Sequence, residues 1–203
     1  MSTSLLLSAN YFPAVSYFHV ILGNNSEILL EKYEHYPKQT YRNRARIATA
    51  NGVLDLTLPI QHGRKEHVPM KDVRINYDHD WQRLHWLSIQ TAYRSSAYFE
   101  YYEEDFAFFF EKKEEFLMDY NVAQLDLLLK ILKINVPVSF TDRYEKQYTD
   151  TTDYRDSIHP KKASVYENPK PYYQVFEDRH GFIADLSIID LIFNQGPQSR
   201  SFL

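Results

Sequence analysis

Ile47-Ala48-Thr49-Ala50-Asn51-Gly52-Val53-Leu54-Asp55-Leu56-Thr57-Leu58-Pro59 decides the class of this fold. Ile47-Ala48-Thr49 and Val53 to Pro59 flank Ala50-Asn51-Gly52, and Asn51-Gly52 accepts positive φ cheaply, so the stretch predicts a β-hairpin. Upstream, Leu5 to Leu7 reads as a buried strand, and Tyr11-Phe12-Pro13 turns the chain into a short helix over Ala14 to Leu22. Asn24-Asn25 makes a turn, Glu27 to Glu31 a second strand, and Val73 to Ile75 offers one more.

Downstream the period changes to that of a helix. Asp78 or Asp80 caps a helix in which Trp81, His85, Ile89 and Ala92 share one face while Gln82 and Arg83 turn outward. A second helix carries Phe106, Phe109, Phe110, Leu117 and Tyr120. A third opens on Asn121 and Gln124 in a capping-box relation, runs through Leu125, Leu128, Leu129 and Leu132, and stops before Pro137. Val138 to Tyr173, rich in Thr, Asp, Lys and Pro, reads as a long surface connection with one helical turn. Ser187-Ile188-Ile189-Asp190 has the form of a capping box opening a last short helix that ends at Gly196-Pro197. The expected architecture is a single α+β domain over residues 1–203. Its N-terminal part holds a small mixed or antiparallel sheet, and its middle and C-terminal parts a cluster of packed helices.

Composition narrows the function. Hydrophobic residues are 44% of the 203, with 17 Tyr and 13 Phe, ample for one core. Five glycines, none clustered, exclude a phosphate loop and a dinucleotide fingerprint, and the absence of Cys removes thiolate chemistry and Cys-type metal sites. His62 and His67 are five apart and His79 and His85 six apart, neither the i, i+4 spacing of two ligands on a helix face, so no metal or other cofactor is expected. A net charge of −4 argues against general nucleic-acid binding. Met1 to Leu7 lacks a basic leader and its apolar run is short, so a cytoplasmic protein without membrane insertion is expected. Oligomeric state is not readable.

Lys38-Gln39-Thr40-Tyr41-Arg42-Asn43-Arg44-Ala45-Arg46 places four cations in nine positions. Arginine forks suit carboxylates and phosphates, so the run is either an anion site or a solvated face paired with nearby carboxylates. His85, on the apolar face of its helix, is the candidate for proton transfer, against the alternative of a core histidine bonded to a backbone carbonyl. Asp190 lies among Ile188, Ile189, Leu191 and Ile192, where a carboxylate is paired or perturbed. Either it anchors an arginine or orients a histidine, or it closes the capping box from Ser187; Asn194 follows one turn later.

Three blocks together resemble the WbqC-like protein family: Asn10-Tyr11-Phe12-Pro13 with Tyr17-Phe18, Lys38 with Tyr41-Arg42-Asn43-Arg44, and Leu186 through Asn194. Trp81, His85, Tyr93 and Tyr98-Phe99-Glu100 fit its middle portion. Ser8-Ala9, where many relatives have Gln-Pro, and Ser16, where they have Gly, depart from the pattern. The resemblance implies a role near nucleotide-sugar or glycan assembly of the O-antigen type, without naming a reaction. On that basis Lys38, Arg42, Asn43 and Arg44 would hold a small anionic substrate, a nucleotide sugar or an activated acyl donor. His85 would act as acid or base, Asp190 and Asn194 would position the ligand or His85, and Asn10 and Tyr11 would border the pocket. The competing expectation is a non-enzymatic protein that docks an acidic partner through the basic run.

Overall fold

Leu5, Leu6 and Leu7 are consecutive and all fully buried, the mark of a strand covered on both faces. In the computed structural model, which describes residues 4–61 and 67–203, they lie in β1 (Ser4–Ser8). From there α1 (Val15–Asn24) crosses over to β2 (Ile28–Glu31), which pairs parallel to β1 with Leu6 opposite Leu29. The antiparallel hairpin forms where Asn51-Gly52 places it, between β3 (Arg44–Thr49) and β4 (Gly52–Thr57), with Gly52 at φ 103. Three main helices follow, α2 (Trp81–Tyr93), α3 (Phe99–Glu111) and α4 (Leu117–Ile131). The protein is thus α+β, with parallel and antiparallel pairing in its β part and a helical cluster beside it.

The stretch expected to be a surface connection contributes two further strands, β5 (Val138–Phe140) and β6 (Thr151–Asp153). They complete a four-stranded parallel sheet in the order β5-β2-β1-β6. Three-residue strands are too short to show a period, and these exist because β1 and β2 offer them edges. Val73 to Ile75, read as a strand, makes only isolated bridges, Ile60 to Ile75 and Arg74 to Phe116.

Several local expectations shift by a turn. Leu117 and Tyr120 belong to the start of α4, so Asn121 and Gln124 are interior and fully buried instead of capping. Gln82 points inward, donating to the carbonyls of Phe109 (3.2 Å) and Lys112 (2.7 Å). Ser187 precedes α6 (Ile188–Gln195) as expected, but its hydroxyl donates to the Phe12 carbonyl at 2.8 Å and the Asp190 carboxylate does not return to it. The turn after α1 falls at Asn25, at φ 45. A four-residue helix, α5 (Glu177–His180), lies in the late loop.

The core joins these layers through aromatic rings. Phe12, held at φ 37, packs on Phe106, Phe109 and Phe110, and Phe193 of α6 packs on Tyr93, Phe99 and Phe106. Gly196 ends α6 at φ 51, and a Cβ there would stand 2.4 Å from the Tyr98 ring, so only glycine fits. Among the described residues no helix is long and apolar enough to cross a membrane.

Candidate functional site

Tyr11 follows β1 and is fully buried; His85 sits one turn along α2 from Trp81 with 7% exposure. The Tyr11 hydroxyl and His85 Nδ1 are 2.9 Å apart. The backbone carbonyl of Thr57 also acts on the imidazole, favouring its protonated form. Burial lowers the His85 pKa to about 4, partly offset by the Thr57 carbonyl, and raises that of Tyr11 well above the usual phenol range. Both groups are neutral at pH 7. The imidazole therefore holds no proton to give as an acid at neutral pH.

Around this pair buried polar atoms stand without partners among the described residues. They are the donors Trp81 Nε1 and Gln124 Nε2 and the acceptors Asn10 Oδ1 and Asn121 Oδ1. The contacts of Trp81, Asn121 and Gln124 set those three beside the pair, and Asn10 adjoins Tyr11 in the chain. Asn121 Nδ2 donates to the carbonyls of Ala9 (2.9 Å) and Arg42 (2.7 Å), and Gln124 Oε1 accepts from Phe12 N–H at 2.9 Å. The two α4 amides thereby grip the segment that carries Asn10 and Tyr11. The Trp81 ring lies 5.2 Å from His85 and 6.0 Å from Tyr120, and Tyr11 stacks 6.1 Å from Tyr120. Leaving a buried polar group unpaired costs about 1–3 kcal/mol, so these atoms mark the region as the candidate site.

The basic run divides rather than forming one wall. Arg42 is 2% exposed and clasps Glu34 with Nε (2.6 Å) and Nη2 (2.7 Å), so its charge is already answered. Asn43 is spent on the Leu58 carbonyl at 2.8 Å. Arg44 and Arg46, i and i+2 on β3, both reach Asp55 at 3.2 Å. Arg44 keeps a buried Nε without a partner, and its backbone pairs with Thr57, the residue whose carbonyl faces His85. Lys38 is exposed and has no ion pair among the described residues.

Asp190 is held elsewhere. Its Oδ1 accepts from Tyr172 (2.8 Å) and Gln174 (3.0 Å) and its Oδ2 from Tyr93 (2.9 Å). Burial raises its pKa to about 6, against the lowering effect of those three donors. It neither touches His85, whose partners are Tyr11 and Thr57, nor pairs with an arginine. Asn194 donates to the Asp190 carbonyl and leaves Oδ1 unpaired. Among the described residues no cluster of His, Asp and Glu could hold a metal. His62, half of one histidine pair weighed above, lies outside the described residues.

Asn121 and Gln124 are the members that sequence reading misses. A signal was present: they share the α4 stripe with Leu125 and Leu128, where amides facing a core need a reason.

A parallel sheet, a hairpin and a helical layer around a buried, uncharged polar cluster make an α+β domain with one candidate site. The chain belongs to the WbqC-like protein family, whose model matches residues 9–170. That span holds the first two sequence blocks and His85, while the block around Asp190 lies beyond it. The chain is also similar, at 24% identity over 231 aligned positions, to "Uncharacterized protein Rv1507c" of Mycobacterium tuberculosis (strain ATCC 25618 / H37Rv), covering 100% of this chain and 98% of that protein. No solved structure gives a significant match.

Proposed function

We propose that this WbqC-like protein is a transferase-like protein of surface-polysaccharide (O-antigen type) metabolism that binds an anionic sugar derivative at the Tyr11–His85 cluster. The observation that carries this reading is the set of orphaned atoms on Trp81, Gln124, Asn10 and Asn121. Two donors and two acceptors beside aromatic rings are the complement of sugar hydroxyls, each of which donates and accepts. That favours a nucleotide sugar or sugar phosphate over an acyl donor. Arg44, whose Nη1 is paired with Asp55 while its Nε has no partner, would turn that fork to the phosphate. His85 enters as a neutral base that draws a proton through Tyr11, whose hydroxyl faces its Nδ1 and takes one in turn from a ligand hydroxyl; its lowered pKa denies it the acid role at neutral pH. The reading as a docking protein is disfavoured because Arg42 is buried and Arg44 and Arg46 share Asp55, leaving Lys38 to face a partner.

The test is a thermal-shift and calorimetric screen with sugar 1-phosphates, nucleotide sugars and acyl-CoA. A sugar phosphate or nucleotide sugar is expected to stabilise the protein, and Trp81→Phe, which keeps the ring and removes one orphan donor, to weaken it about fivefold or more. The proposal fails if no sugar derivative binds, or if Trp81→Phe and Arg44→Ala bind as tightly as the parent.

A further inference from the structure

Four charged side chains, Glu31, Glu34, Arg42 and Arg155, are buried together beyond the carboxyl ends of the parallel strands. Glu31, the last residue of β2, accepts from Tyr33 N–H (2.8 Å), Thr141 (2.9 Å), Tyr148 (2.8 Å) and Arg155 (3.1 Å). Arg155 also forks onto Asp153, the last residue of β6, at 2.6 and 3.1 Å. Arg42 joins Glu34 to Ser8, the last residue of β1, at 2.6 Å, and to the Arg155 carbonyl at 3.3 Å. Every guanidinium here is held rigidly. A buried ion pair adds little stability that apolar packing could not supply, so its gathering at one edge of a sheet asks for another explanation.

A cleft of about 400 Å³ opens over this network, lined by Glu34, His35, Tyr144, Lys146, Arg155 and Asp156 among others. It lies where sheets with crossover helices take ligands, beyond the carboxyl ends, at the strand (β1) whose neighbours run to β2 on one side and to the distant β6 on the other. Three of its side chains have unused capacity. Tyr144 is 54% exposed, its ring backed by the Arg155 guanidinium 5.4 Å away, which makes a braced, open aromatic plane. Lys146 and Asp156 have no side-chain partner among the described residues.

We propose that this cleft is a second ligand site, separate from the Tyr11–His85 cluster, and that it takes a nucleoside phosphate. The base stacks on Tyr144, Lys146 meets the phosphate, and Asp156 accepts from ribose hydroxyls. The site stands on its own geometry and does not depend on the sugar reading of the buried cluster. A nucleotide-sugar donor and an acyl-CoA both carry this chemistry, so the source is decided by titration.

The test is calorimetry on the full chain with UDP, CDP, GDP, ADP and CoA, beside inorganic pyrophosphate and ribose 5-phosphate as probes lacking the base. At least one nucleoside phosphate is expected to bind with a submillimolar Kd, more tightly than either base-free probe. Tyr144→Ala and Lys146→Glu, both at exposed positions, are each expected to weaken it about tenfold. Binding by CoA and not by the diphosphates assigns an acyl donor, and the reverse assigns a nucleotide sugar; either supports the site. It is overturned if no nucleoside phosphate binds at millimolar concentration, if a base-free probe binds as well, if either cleft variant binds undiminished, or if binding is lost only in His85→Gln.

Discussion

Deleting either of two buried titrating groups should unmask the pH dependence of the other. His85 has a folded pKa of about 4 against 6.5 unfolded, so as pH falls through that window the unfolded chain takes up a proton that the folded one refuses. Stability contributed by His85 is complete above pH 6.5 and lost on acidification toward pH 4. Asp190 runs the other way. Its folded pKa is about 6 against 3.8 unfolded, so as pH rises the unfolded chain ionises first, and stability present below pH 3.8 is lost by pH 6. At 1.36 kcal/mol per pKa unit each term is worth about 3 kcal/mol, and the two nearly cancel between pH 4 and 6.5. Urea unfolding of the parent, His85→Gln and Asp190→Asn, followed by fluorescence of Trp81 and Trp86, measures this. Relative to the parent, His85→Gln should lose about 3 kcal/mol on going from pH 4 to 6.5, and Asp190→Asn should gain a similar amount. Asp190→Asn will also be weaker throughout, because an amide N–H would face the donors from Tyr93, Tyr172 and Gln174; the slope, not the offset, is the readout. Profiles for both variants that run parallel to the parent would refute the burial argument.

Three further outcomes are expected. Tyr11→Phe removes the hydrogen bond to His85 Nδ1 and should cost about 1–3 kcal/mol in chemical denaturation, while NMR titration should find the His85 pKa still lowered, because burial sets it. Arg42→Met strands the buried Glu34 carboxylate and should cost about 3–5 kcal/mol in chemical denaturation, much of it regained in Arg42→Met/Glu34→Gln. Gly196→Ala places a methyl against the Tyr98 ring at a positive φ, and a fall in Tm corresponding to more than about 2 kcal/mol is expected.

Local signals in this chain carried as far as local forces reach. Asn51-Gly52 placed the hairpin because φ preference belongs to the residue itself. The spacing of Trp81, His85, Ile89 and Ala92 placed α2 and its buried face, since a 3.6-residue period needs no partner to be read. Glu27 to Glu31 and Leu5 to Leu7 were legible as strands from their apolar runs. Val138-Ser139-Phe140 and Thr151-Thr152-Asp153 were not, because what makes them strands is the hydrogen-bonding edge of β2 and β1, more than a hundred residues away.

The candidate site divides along the same line. The family resemblance nominated Asn10 and Tyr11 and the helical period His85, and the fold sets Tyr11 against His85 beside Trp81. The sequence also nominated Asp190, and there only the tertiary structure decided: a carboxylate amid isoleucines must find donors, and the fold supplies Tyr93, Tyr172 and Gln174 instead of His85. The charges of Lys38 to Arg46 were plain from composition, but which would stay free was not. That depends on where Glu34 and Asp55 stand in space, and an ion pair is fixed by distance between side chains, a quantity sequence order does not contain.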